Sequence, residues 1–196
     1  FIHFPETSLA ELIFHELAHH HLFIKDDATF NESFATAVAQ IGVARWLETK
    51  RGAEQRDEYL ARCARRHTLN ELLATSRIQL KKLYGSIKTD REKREGKKEL
   101  VAALKKDLVA LSQIDPAYRK LELWAKRPIN NAVLGARSVY HRRVPAFYAL
   151  YEQSGRDIAA FLCETEKIAR LKKKERDSIL AKYEAKSRAL KVNLDQ

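Results

Sequence analysis

The hydrophobic pattern of the chain has helical spacing almost throughout. In "SLAELIFHELAHHHLF" (8–23) the apolar residues Leu9, Leu12, Ile13, Phe14, Leu17, Ala18, Leu22 and Phe23 predict a first helix from about Leu9 to Phe23, buried nearly all round. Ser8, three residues before Glu11, has the pattern of a capping box, with Pro5 just outside it. "KDDAT" (25–29) is a polar break in which Thr29 or Asp27 can cap a second helix, about Phe30 to Thr49. Gly52 then returns the chain into a third helix carrying Leu60, Leu69, Leu72 and Leu73.

Leu80, Leu83 and Ile87, then Leu100, Leu104, Leu108 and Leu111, predict two antiparallel helices joined by a solvated tip at "KTDREKREGKK". A connector with Pro116 and Pro128 follows. Three further helices are expected near 131–141, 145–154 and 156–171, the last two separated by Gly155. Val144, Phe147 and Tyr151 form a core stripe with Tyr140. The tail from Lys172 is helix-competent and strongly charged, and is expected to be helical or disordered in part. With 6 Gly and 4 Pro in 196 residues, and few β-branched runs, there is little material for strands. The fold class is all-α, with a charged antiparallel hairpin protruding at 70–115 between helices 1–69 and 116–171, and the tail 172–196 after them.

The net charge of +11 sits in two places. Residues 77–107 and 167–191 together carry more than all of it, and the histidine-bearing part is nearly neutral. Both basic segments interleave acids with bases and hold one aromatic each, Tyr84 and Tyr183, too few for a stacking platform, so a nucleic-acid partner is not expected. Cys63 and Cys163 have no metal-binding spacing and are expected as buried free thiols. No apolar run is long enough to span a bilayer. The chain begins at Phe1 and contains 0 Met, which suggests a piece of a longer protein.

His15, Glu16 and His19 stand in the order His-Glu-x-x-His. Residues four apart share a helix face, so His15 and His19 can give two imidazole nitrogens to one zinc ion. Glu16, about 100° further round, can take a proton from a water that the cation activates and pass it to a leaving amine. His20 and His21 have no histidine four residues back and read as ordinary exposed side chains. A third histidine ligand is ruled out, because Leu22 and Lys25 occupy the positions where that motif needs Gly and His. Glu32, at the start of the second helix, is the expected third ligand. Asp26 and Asp27 compete for the role from the loop. Asn31 either orients substrate backbone or closes the turn. Glu11 either completes the capping box or steadies a histidine.

"ELIFHELAHHHLFIKDDATFNESFATAVAQIGVARWL" and "RPINNAVLGARSVYHRRVPAFYALYEQSGRDIAAF" resemble the bacterial family of predicted zinc aminopeptidases, a gluzincin-like group with two His and one Glu as ligands. The resemblance implies that His15, His19 and Glu32 bind Zn²⁺, that Glu16 is the general base, and that peptides are the substrate. It also marks Asn130, Asn131 and Tyr140 as part of the active-site region. Tyr140, with His141 as second choice, would donate to the developing oxyanion, and Asn130 and Asn131 would bind substrate or cap a helix. "FIHF" (1–4) is what remains of a strand that would pair with substrate. The resemblance further implies a cell-envelope or periplasmic setting, with membrane anchoring through an upstream leader. The alternative is a metal-stabilised helical scaffold that is catalytically idle and works through its hairpin.

Overall fold

The computed structural model describes residues 5–130 and 143–194, with side chains up to residue 186. Among these residues there are eight α-helices, one 3₁₀ turn and no strand. The protein is all-α, as the spacing predicts. "FIHF" and the whole of the helix expected near 131–141 lie outside the described residues.

Helix α1 (Glu6–His21) starts one turn earlier than predicted. Pro5 is its N-cap, Ser8 N–H bonds the Pro5 carbonyl at 2.8 Å, and no side chain caps the end. The Ser8–Glu11 box does not form, because Pro supplies a start that lacks only an N–H the helix could not use. Helix α2 (Ala28–Arg51) is capped by Asp27, whose carboxylate accepts from Phe30 N–H at 3.3 Å. Gly52, at φ 92°, ends it.

Helix α3 (Ala53–Tyr84) is continuous over 32 residues, so the predicted third helix and the first arm of the hairpin are one element. Helix α4 (Asp90–Ile114) begins with a capping box of Thr89 and Glu92. The hairpin tip therefore lies at 85–89, ahead of most of the charged run. "DREKREG" instead forms the first turns of α4, since its acidic first turn and threonine cap favour helix despite the lack of apolar residues. Gly96 sits inside α4, where a Cβ would meet Leu83 Cδ1 at 3.0 Å, and its bareness permits the close approach of the two arms. The 3₁₀ turn Pro116–Tyr118 and helix α5 (Arg119–Lys126) follow.

The chain divides into two compact units, residues 1–65 with 140–196, and residues 66–139. The division falls within α3. The second unit has its own core of Leu73, Leu80, Leu104, Leu108, Ala125 and Ile129. The first unit contains α1, α2, α6 (Val144–Gln153), α7 (Ile158–Ala169) and α8 (Lys173–Leu194). Gly155 and Arg156, both at positive φ, turn the chain between α6 and α7. The core of this unit is aromatic: Phe30 meets Phe147 edge-on at 5.2 Å between ring centres, and Phe34 packs on Phe147 at 5.7 Å and Phe161 at 6.3 Å. Val144, Phe147 and Tyr151 are buried, as the stripe predicts.

Helix α1 is not buried all round. It packs on α2 through Ala10, Phe14 and Ala18, while Ile13, Leu17 and Phe23 are 50 %, 56 % and 66 % exposed. Its apolar residues encircle the helix, and their composition cannot say which side receives a neighbour. Cys63 is buried and Cys163 exposed, both free thiols, so only the first matches the expectation of buried thiols. The tail is helical through Leu194 and seats Leu180 and Arg176 in the interior.

Two predictions follow from this packing. A Cβ at Gly42 of α2 would sit 3.0 Å from the Phe14 ring, so Gly42→Val should lower stability by about 1–3 kcal/mol in urea unfolding, against the gain of about 0.4 kcal/mol expected from helix propensity alone. Asp27 is buried, which by itself raises its pKa, but bonds from Arg176, Lys173 and the Phe30 N–H outweigh burial and hold the carboxyl below its ordinary value. Its contribution is present above the unfolded pKa of about 3.9 and is lost as pH falls through the lower folded value. The stability gap between the parent and Asp27→Asn should therefore narrow as pH is lowered from 5 towards 2 in a urea series; a constant gap would remove the charge from the account.

Candidate metal centre

The site is assembled by a helix–turn–helix return. His15 and His19 lie one turn apart on α1, and Glu32 lies in the second turn of α2. Between them the chain reverses at 22–27, with Asp26 at φ 63°. Asn31 closes the reversal: its amide oxygen accepts from Ile24 N–H at 2.9 Å and its amide nitrogen donates to the Ile24 carbonyl at 2.7 Å. A short planar amide that both donates and accepts is what satisfies a turn residue's two orphan backbone groups at once. Asn31 is 2 % exposed, so its amide serves the turn and is not presented to an incoming molecule.

The result is a convergence of three electron-pair donors. The Nε2 atoms of His15 and His19 are 3.2 Å apart. Glu32 offers one carboxylate oxygen to each, Oε2 at 3.4 Å from His15 and Oε1 at 3.5 Å from His19. Two ligands each about 2.1 Å from a tetrahedral centre are about 3.4 Å apart, so these separations are those of adjacent corners around a zinc-sized ion. The rings cross at 86° with centroids 4.8 Å apart, which lets both Nε2 atoms aim at one point. Among the described residues this is the group of His, Cys, Asp and Glu side chains that could hold a metal ion.

A second observation concerns His19 Nδ1, which is buried and has no hydrogen-bond partner among the described residues. That nitrogen carries the ring proton whenever Nε2 is the ligand atom. An unpaired buried donor costs about 1–3 kcal/mol, and a ligating imidazole ordinarily passes that proton to a partner, so the fit of a metal rests on the three donors and their spacing. The donor set and its spacing fit a divalent cation with affinity for imidazole and carboxylate.

The side chains of the three donors are 22 %, 20 % and 35 % exposed, so the point they face is open to solvent. Glu16 is exposed, and no partner binds its carboxylate among the described residues. It lies beside His15 on the outer face of α1, which also carries Ile13, Leu17 and His20. Phe23 stands edge-on to the His19 ring at 6.3 Å. His21 pairs with Glu166 of α7 at 3.1 Å, outside the donor group. Asp27 is committed to capping α2 and to pairing with Arg176, and Asp26 is exposed in the turn; neither joins the three donors. Glu11 contributes to the electrostatics of the buried Tyr59 phenol, whose pKa is raised chiefly by burial.

Tyr140, His141 and Asn131 lie outside the described residues. Asn130 is exposed and follows the short helix α5. Sequence reasoning passed over Ser33 and Arg143, whose backbone N–H donates to Ser33 Oγ at 3.1 Å, and over Arg176. The only signal for them was the pairing of a serine and an acid with arginines more than 100 residues away, which spacing cannot reveal.

No helix among the described residues is long and apolar enough to cross a membrane. Comparison with characterised proteins and with solved structures returned no match. The family described as "Putative aminopeptidase" matches residues 1–180, which take in both histidines, both glutamates and every helix of the first unit at least in part, and the chain belongs to that family.

Proposed function

We propose that the protein is a zinc-dependent peptidase in which His15, His19 and Glu32 hold the metal and Glu16 is the general base. The convergence of the three donors at 3.2–3.5 Å is the observation that carries this reading. When bound, zinc would polarise a peptide carbonyl and acidify a water at that point.

The chain's own residues divide the remaining tasks. His15 and His19 supply two neutral nitrogens and Glu32 one negative charge, leaving the cation a net positive charge towards substrate. Glu16 follows His15 in sequence, about 100° further round α1, and is not one of the three converging donors. Exposed and unpartnered among the described residues, it is free to accept a proton from water and return it to the departing amine. A metal that served stability alone would not call for such a carboxylate. Tyr140 remains the proposed donor to the oxyanion. Peptides are the substrate class, and release of a terminal residue is the mode that the family's description supplies.

Zinc titration and peptide hydrolysis on the purified chain test the assignment. Glu16→Gln should bind zinc as the parent does and lose turnover by about 10²-fold or more, the usual contribution of a general base. Glu32→Ala should weaken zinc binding by about 100-fold or more, since even groups that only orient a ligand are worth 10–100-fold. Full turnover in the first variant would remove Glu16 from the chemistry; parental affinity in the second would move the third ligand elsewhere.

A further inference from the structure

Glu32 can meet imidazoles from another helix only if the first turns of α2 are held at a fixed angle, and α8 supplies the hold. Asp27, 4 % exposed, uses its two oxygens differently. Oδ1 caps α2 at Phe30 N–H, while Oδ2 takes Arg176 Nη2 at 2.7 Å and Lys173 Nζ at 3.1 Å. Arg176 is 5 % exposed. Its Nη1 donates to the carbonyls of Ala169 and Leu171 at 3.3 and 2.8 Å, and its Cζ lies 5.5 Å from the centre of the Phe30 ring. One guanidinium thus joins the end of α7, the start of α8 and the cap of α2. On the other side of Glu32, Arg143 holds Ser33 through its backbone N–H and reaches Asp177 and Glu184 of α8 at 3.1 and 3.2 Å. The residues that bracket Glu32 are therefore both tied to the same charged helix.

We propose that Arg176 is a positioning residue for the metal centre: through Asp27 it fixes the first turns of α2 so that the Glu32 carboxylate stays on the two imidazoles. The inference rests on the metal reading above. Its lever arm is short and stiff. Asp27 and Glu32 are five residues apart, about 7.5 Å along the axis, so a tilt of about 10° moves the carboxylate by about 1.3 Å, beyond the roughly 0.5 Å that a productive site tolerates. Lysine at 176 would keep the charge against Asp27 and lose the bonds to two carbonyls, because it lacks the planar fork.

Zinc affinity, measured by competition with a chelating dye on the full chain, tests the proposal. Arg176→Met should weaken binding by about tenfold or more, within the range known for groups that orient ligands, and Arg176→Lys by less. Leu47→Ala, which opens a cavity at the far end of α2, should lower the melting temperature and leave zinc affinity at the parental value. Should Arg176→Met fail to fold, Asp27→Asn decides, since its amide oxygen can still cap Phe30 while the ionic link is gone; weakened zinc binding supports the proposal. Parental affinity in a folded Arg176→Met or Asp27→Asn overturns it, as does an equal loss in Leu47→Ala. Zinc binding by the parent and its loss in Glu32→Ala, with Arg176→Met unaffected, sinks this inference alone; a parent that binds no zinc sinks the metal reading with it.

Discussion

Everything at the candidate centre depends on one reversal of the chain, the turn that sets α2 against α1. Two histidines on a helix define a line, and a third donor must come from elsewhere at a fixed distance and angle. The turn has few residues with which to achieve this, and an irregular segment leaves backbone groups in need of partners. Asn31 meets that need at Ile24, and in doing so places its neighbour Glu32 over the two imidazoles. The same residue that completes the turn fixes the register of the glutamate beside it. Gly42 acts further along the interface, where the absence of a side chain admits the Phe14 ring and so sets the separation of the two helices.

The second constraint is electrostatic. Burying charge is costly, and a buried ion pair is retained with benefit only where its geometry is good and its remaining hydrogen-bonding groups are used. The Asp27–Arg176 pair comes close to this: both carboxylate oxygens have partners and four of the guanidinium's bonds or contacts are accounted for, although Arg176 Nε has none among the described residues. Replacing such a pair with apolar groups would sustain a core equally well. What an apolar pair lacks is direction, and direction is what holds the Glu32 carboxylate, about one and a half turns away, against the two imidazoles.

Helix α1 presents opposite characters on its two sides. Its inner side packs on α2 through small and aromatic residues, while its outer side shows Glu16, Ile13, Leu17 and His20 to solvent. A general base has to be reachable and unpaired before it can accept a proton, and the exposed position of Glu16 agrees with that need.

The sequence by itself determined the helices, their approximate ends and the pairing of His15 with His19, because helical periodicity and an i, i+4 spacing are local properties of the chain. It also pointed to Glu32, through a short polar break followed by a strong helix. It misjudged the start of α1, the continuity of α3 and the hairpin tip, where caps and tertiary contacts compete on nearly equal terms. Its charged tail read as helix-competent but partly disordered, because nothing local distinguishes Arg176 from the basic residues around it. Only the tertiary structure decided that this arginine enters the interior, that Asn31 spends its amide on the turn, and that one side of α1 stays bare. Each of those outcomes depends on a partner far away in sequence, and local pattern carries no record of distant partners.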